Sequence, residues 1–379
     1  MPTVAEHRAT VEIEKTGEVF RIIDMSLGMD LEWTPFIQAK LTVPLTPDID
    51  KLDPTAEVLW VTVRLDRRLG RTDTLADFTR RYRGRKVSAV SSDFNGDRLS
   101  AVTAATYHDY DTPGVEQTRT FRLIIETNEV DRAAARATLT LASAESLLLT
   151  DGNHGRDITM GGPTWGDVLT TVVARSGLTR EPLGPFYDDP LTTTTPDNVN
   201  ARWLGGASAW DFLQQQYRQR WDLFIYADEQ GVIRLRRDRS TGNNRTLRSA
   251  GPERSVINEV FTASREDNWY EAVHVIWENA RGIAYTGKRG PVLEIRRPGV
   301  GAPEPIPEQP DIYARKFLDN IKRRGDALEL LAVSDYSLTP GDLGYYTTPR
   351  TNRRGRIVAV EWQWPQDEMS VRLREVETI

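Results

Sequence analysis

Cysteine is absent from all 379 residues, which removes disulfides, thiolate metal sites and every cysteine-nucleophile mechanism, that of the cysteine peptidases included. Histidine is nearly as scarce. His7, His108, His154 and His274 stand far apart, and no pair at i, i+4 spacing offers a helical zinc site. No apolar run approaches the roughly 18 residues that a membrane-spanning helix needs. Met1-Pro-Thr-Val-Ala-Glu-His-Arg8 has no basic segment followed by an apolar one, so a Sec signal is not expected. A glycine-rich phosphate loop, a nucleophile elbow and a Rossmann fingerprint are all missing. Lysine occurs only at positions 15, 40, 51, 86, 288, 316 and 322; the arginine that replaces it elsewhere reads as the mark of a GC-rich genome.

What remains is the composition of a folded protein, with 39% hydrophobic and 27% charged residues and aromatics spread along the chain. Its length exceeds what one core usually fills, so two or three domains of about 100 to 150 residues are expected. The formal charge of −6 argues against a general nucleic-acid binder.

Residues 1–150 read as a first β-barrel domain. Val11 and Ile13 alternate with Glu12 and Glu14, Lys15-Thr-Gly17-Glu18 makes a turn, and Val19 to Ile23 returns as the second arm of a hairpin. Strands follow at 36–43, 58–65, 99–107, 120–126 and 136–141, a number that suits a barrel or sandwich. A basic excursion, residues 67–86, interrupts them with one short helical turn at 75–78.

Residues 151–250 read as a small α/β domain. Thr164-Trp-Gly-Asp167 and Ser208-Ala-Trp-Asp211 each match a capping box. Val168, Leu169, Val172 and Val173 make an apolar stripe after the first, with Gly177 at the expected C-terminal cap. Trp210, Leu213, Tyr217 and Trp221 fall at helical spacing after the second. A hairpin over 222–235 turns at Asp228-Glu-Gln-Gly231, and residues 183–200 read as a surface loop.

Residues 251–379 read as a second β-barrel domain with a helical insertion near 311–335. A strand is expected at 269–277 and an aperiodic Pro/Gly-rich excursion at 290–310. Tyr313, Phe317, Leu318 and Ile321 share one face of a helix starting near Asp311. Alternating strands at 357–364 and 369–376, joined by Pro365-Gln-Asp-Glu368, close the chain.

Candidate chemistry is thin. Tyr107-His108-Asp109-Tyr110-Asp111 carries an imidazole with carboxylates at i+1 and i+3, a possible divalent-ion loop; a polar connection between strands explains it as well. Asp188-Asp189 and Asp228-Glu229 are paired carboxylates of the kind glycoside hydrolysis uses, but adjacent residues in turns seldom reach opposite faces of a sugar. The arginine-rich stretches 67–86 and 350–356 would suit an anionic partner, or simply a solvated or intersubunit loop. Trp362 and Trp364 share one face of a strand, where a core role outweighs sugar stacking. No residue is therefore assigned a catalytic, cofactor-binding or metal role.

The order of these elements resembles the baseplate hub proteins of tailed bacteriophages and related injection machines. Its strongest parts are Ser208 to Leu213 and the hairpin Leu223 to Leu235, with Leu338-Thr-Pro-Gly-Asp342 and the closing strands in support. The resemblance implies a homotrimer in which two tube-type barrels per chain form a ring of six, joining a threefold hub to a sixfold tail tube. It implies as neighbours a distal tail or tail tube protein, a tape-measure protein and a central fibre or spike protein, with DNA only in transit through the lumen. The expected location is the virion's tail tip, after assembly in the host cytoplasm. Because the sequence stops at Ile379, no downstream lytic or fibre domain is expected, and the chain is expected not to be an enzyme and to need no cofactor. The competing expectation is a cell-wall carbohydrate-binding or hydrolytic tail protein.

Overall fold

Period-two alternation sets the first eight strands: β1 (Thr3–Ile13), β2 (Glu18–Arg21), β3 (Asp24–Asp30), β4 (Ile37–Pro44), β5 (Trp60–Asp73), β6 (Tyr107–Asp109), β7 (Glu116–Asp131) and β8 (Arg136–Ala142), with a one-turn helix α1 (Pro47–Asp50) after β4. The computed structural model describes residues 3–73, 107–109, 116–152, 155, 157–182, 202–218, 223–236, 242–250, 255–263, 270–277, 280–287, 289–296, 310–321 and 326–379. In β1, Ala9, Val11 and Ile13 are buried while Arg8 and Glu12 are exposed. Val11 lies opposite Val63 and Ile13 opposite Val61, so the two strands present one apolar face. Gly17, at φ +70°, closes the β1–β2 turn with its N–H 2.8 Å from the Ile13 carbonyl.

The segment 18–30 changes partner midway. Its first half pairs with β1 and its second with β4, and the handover is made by adjacent residues: Ile22 N–H donates to Ala9 at 3.0 Å and Ile23 N–H to Thr42 at 2.8 Å.

The middle of the chain folds differently because its apolar residues recur at helical spacing. It contains α2 (Glu145–Thr150), β9 (Ile158–Thr159), α3 (Trp165–Arg175), β10 (Arg202–Trp203), α4 (Ala209–Leu213), which widens into a π-type turn over Gln214–Arg218, and the hairpin β11 (Phe224–Ala227) and β12 (Ile233–Arg236). Both capping boxes form. Thr164 Oγ1 accepts from Asp167 N–H at 3.2 Å while Asp167 accepts back from Thr164 N–H at 3.0 Å; the pair Ser208 and Asp211 repeats this at 3.0 and 3.2 Å. Trp165, Leu169 and Val173 from α3 pack with Trp203, Phe212, Tyr217, Ile225 and Leu235 in an apolar cluster separate from that of the large sheet. The Tyr217 hydroxyl ties the two helical segments together by donating to the Trp165 carbonyl at 2.6 Å.

The remainder returns to strands: β13 (Asn244–Arg248), β14 (Val256–Ala263), β15 (Ala272–Trp277), β16 (Ala280–Tyr285), β17 (Val292–Arg296), helix α5 (Pro310–Ile321), β18 (Asp326–Val333), β19 (Leu343–Thr347), β20 (Asn352–Trp364) and β21 (Glu368–Thr378). β15, β16 and β17 make a small sheet of their own, against which α5 packs through Ala314 and Leu318. The other long strands join the first eight in one mainly antiparallel sheet, in the order β14-β18-β21-β20-β3-β4-β8-β7-β5-β1-β2, with β13, β19 and β6 attached at its side. Among the described residues this path does not close between β14 and β2. β3 and β20 carry the join, Leu27 lying opposite Trp362 and Met25 opposite Trp364. One apolar cluster therefore holds Leu27, Val63 and Leu139 together with Leu328, Trp362 and Leu373.

Several expectations need correction. Residues 290–310 are not aperiodic throughout, because Val292–Arg296 pairs in parallel with β15; flanking Pro and Gly hid a five-residue alternation. The helical insertion stops at Ile321 among the described residues, and Asp326–Val333 is a strand whose Leu328, Leu330 and Ala332 face the core at period two. A further short helix, Glu145–Thr150, precedes the two capped helices that the sequence marks. β5 and β7 run well beyond 58–65 and 120–126. Residues 75–78, 99–106, 183–200 and Trp221 lie outside the described residues.

Candidate functional site: the junction around Arg119

Arg119 shares strand parity with Phe121 and Leu123, so β7 directs its side chain inward, and it is 6% exposed. A guanidinium in that position is tolerated only when its donors are matched. Its Nε donates to Glu229 Oε1 at 3.1 Å, Nη1 to the Tyr336 carbonyl at 3.0 Å and to the Leu338 carbonyl, and Nη2 to Thr339 Oγ1 at 3.0 Å and to Glu229. Its Cζ lies 4.9 Å from the Trp362 ring centre and 5.4 Å from that of Phe121. One side chain thus grips the β11–β12 turn, the loop after β18 and the strand β20.

The turn is built to offer Glu229. Asp228 Oδ1 accepts from Gln230 and Val232 N–H, each at 2.9 Å, and Gly231 sits at φ +73°. Asp228 Oδ2 holds Arg234 Nε at 2.7 Å, and Arg234 and Arg236 both reach Glu181 at 2.6 Å. Burial pushes the Glu181 carboxyl up, but the two guanidiniums outweigh it and hold it below the usual range. Arg122 N–H donates to the Glu229 carbonyl at 2.7 Å, while its guanidinium lies 4.0 Å from the Trp60 ring centre and bonds Glu14.

The loop after β18 is fastened at both ends. Asp342, fully buried, accepts from Arg245 Nε at 2.7 Å and from Thr339 N–H at 3.2 Å. Gly341 adopts φ +101°, a conformation that suits glycine, and its N–H meets the Ile357 carbonyl at 2.7 Å. Tyr336 OH lies 3.1 Å from His7 Nδ1, and His7 Nε2 stands 3.0 Å from Asp367 Oδ1. Arg67 Nη2 lies 3.3 Å from the other Asp367 oxygen. Burial and the nearby Asp367 charge raise the Tyr336 phenol. Burial also pushes Asp367 up, but His7 and Arg67 together bring its carboxyl below the usual range.

Of the carboxylates singled out in sequence, Asp228 and Glu229 have separate structural partners and do not form an acid–base pair. Asp188, Asp189, Tyr110 and Asp111 lie outside the described residues; Tyr107–Asp109 is a strand paired to β5 rather than a loop. Of 67–86, Arg67 joins the cluster with Asp367. In 350–356, Arg354 bonds Glu377, Arg356 lies 3.9 Å from Glu375, and Arg353 stacks 4.6 Å from the Phe261 ring centre. Trp362 and Trp364 are buried. No sequence signal marks Arg119 or Glu145, whose partners are distant along the chain, and the segment Leu338–Asp342 gives no sign that Asp342 is buried against Arg245. Among the described residues no cluster of three His, Asp or Glu could hold a metal, and no helix is long and apolar enough to cross a membrane.

The class defined by this geometry is a mainly β protein whose sheet is locked by one buried arginine and its loop. Among solved structures, the fold matches the tail protein from Neisseria meningitidis MC58 at a TM-score of 0.59 and 10% identity, covering 97% of this chain and 96% of that one. It also matches the 43 kDa tail protein of prophage MuSo2 from Shewanella oneidensis, at 0.55 and 9% identity over 97% and 98%. Prophage tail protein gp18 from Listeria monocytogenes EGD-e follows at 0.52 and 10% identity over 97% and 94%. No family model and no curated protein sequence matches the chain.

Proposed function

We propose that the chain is a structural hub of a phage tail tip: a homotrimer of paired barrels that joins a sixfold tail tube to a threefold tip and surrounds the DNA passage. The observation that carries this reading is the fold likeness to tail proteins over nearly the whole of both chains. Two further features support it. The handover at Ile22 and Ile23 lets the first strands return on themselves as a barrel requires, and Ser255 N–H meeting the Arg248 carbonyl at 2.9 Å brings β13 and β14 together in the second set. The domains of this reading are 1–150, 151–250 and 251–379, with β3–β20 joining the first barrel to the second.

In this role the chain is not an enzyme, and its neighbours are a distal tail or tail tube protein, a tape-measure protein and a central fibre or spike. The carbohydrate reading loses Trp362 and Trp364, which are buried, and Asp228 and Glu229, whose carboxylates are engaged elsewhere, while its other pair, Asp188 and Asp189, lies outside the described residues. The test is an image reconstruction of the assembled particle together with a solution mass at high concentration. Density for three copies around the tail axis is the expected result; a position away from that axis would overturn the hub.

A further inference from the structure

Glu145 opens α2 directly after β8, where three parts of the molecule meet. The carboxyl is 1% exposed. Its Oε1 accepts from Ala227 N–H at 2.7 Å, at the end of β11, and from Phe36 N–H at 3.4 Å, at the entry to β4. Its Oε2 is buried without a hydrogen-bond partner. Ser143 bonds Ile37 N–H at 3.0 Å beside it, and the Phe36 and Tyr226 rings meet edge to face 5.3 Å apart. The site is therefore an apolar seam between the hairpin and the first sheet, with one carboxyl bridging the backbones of both.

No guanidinium or ammonium among the described residues reaches this carboxyl. The titratable groups on the surrounding elements are committed elsewhere. On the hairpin, Asp228 holds its own turn and Arg234, and the Tyr226 phenol is raised by burial. On α4, Asp211 completes its capping box, and at the end of α2, Asp151 bonds Ser176. Ahead of β4, Asp30 is paired with Arg372. A charge on Glu145 would thus be buried with only N–H dipoles and a hydroxyl to offset it.

We propose that Glu145 is a proton-operated latch: the neutral acid holds the β11–β12 hairpin against β4, and the carboxylate loosens that contact. Burial raises the Glu145 carboxyl above its ordinary range, with the Ser143 hydroxyl and the backbone donors opposing. The docked hairpin then binds the proton more tightly than an undocked, hydrated one. Raising the pH through the docked-state value favours undocking. The latch depends on this seam alone and not on the tail reading.

The test compares the full-length protein with Glu145→Gln, which keeps an Oε1 acceptor and cannot ionise. Hydrogen exchange at the Ala227 and Phe36 amides is measured from pH 5 to pH 9, each value corrected for intrinsic exchange. The expected result is a loss of protection in the wild type relative to Glu145→Gln, about tenfold for each unit by which ionisation is displaced. Parallel profiles would overturn the latch. Should Glu145→Gln fail to fold, the wild-type carboxyl is titrated by carbon NMR: a midpoint above the ordinary glutamate range supports the proposal, and an ordinary midpoint overturns it.

Discussion

Trp364 donates its indole N–H to the carbonyl of Ile22 at 3.1 Å, across 342 positions of sequence. The bond ties the end of β20 to the bend where the segment 18–30 changes partner. Trp362, two residues earlier on the same face, donates to the Asp335 carbonyl at 3.2 Å. These indoles fill the join between the early and late strands. Trp362→Ala is expected to cost about 3 to 5 kcal/mol in chemical denaturation, and Trp364→Phe, which keeps most of the ring, about 0.5 to 1.5 kcal/mol. An unchanged denaturation midpoint for Trp362→Ala would contradict its placement in the core.

Arg119 and Glu229 are the next pair. Arg119→Met leaves Glu229, the carbonyls of Tyr336 and Leu338 and the Thr339 hydroxyl without their donor, so a loss of about 3 to 5 kcal/mol is expected. In a double-mutant cycle with Glu229→Gln, the effects should fall short of additivity, because each substitution removes the same contact. Strict additivity would show that the ion pair contributes nothing.

Gly282 on β16 lies under the start of α5. A Cβ there would run into the Pro310 carbonyl group and the Asp311 nitrogen, and the neighbouring Ile283 N–H donates to Asp311 at 3.1 Å. Gly282→Ala should therefore displace the helix from its sheet at a cost of about 1 to 3 kcal/mol. Amide exchange over α5 is expected to accelerate while exchange in β20 and β21 stays as it was; equal protection in α5 would refute the close approach.

Local rules explain what was readable from sequence. The hairpin at Gly17, both capping boxes and the closing strands depend on residues within a few positions of one another, and each formed. Tyr217 and Trp210 could be placed in a core from helical spacing alone. Glu229 could not be assigned its partner, because Arg119 lies 110 positions away on another strand. Nor does strand alternation show that β3 will pair with β20, since edge recognition depends on which strands tertiary folding leaves adjacent. Nothing in the local sequence marks Glu145, and only packing against Phe36 and Ala227 makes it a buried carboxyl.

Asp367 provides the remaining prediction, one of pH. Although burial raises its carboxyl, His7 and Arg67 hold it below the ordinary 3.8. A group depressed in the folded state stabilises it above the unfolded value, and that contribution is lost as the pH falls through the folded value. Asp367→Asn retains an oxygen for the Ser334 N–H, which lies 3.2 Å from Oδ1, but removes the charge and replaces the Oδ2 that accepts from Arg67 with an amide donor. At pH 7 the variant is expected to unfold at lower temperature than the wild type. Below pH 4 the wild type should lose that advantage and the two melting curves should converge. A difference that stays constant down to pH 2 would mean that the carboxylate charge plays no part in joining β1 and β5 to the turn before β21.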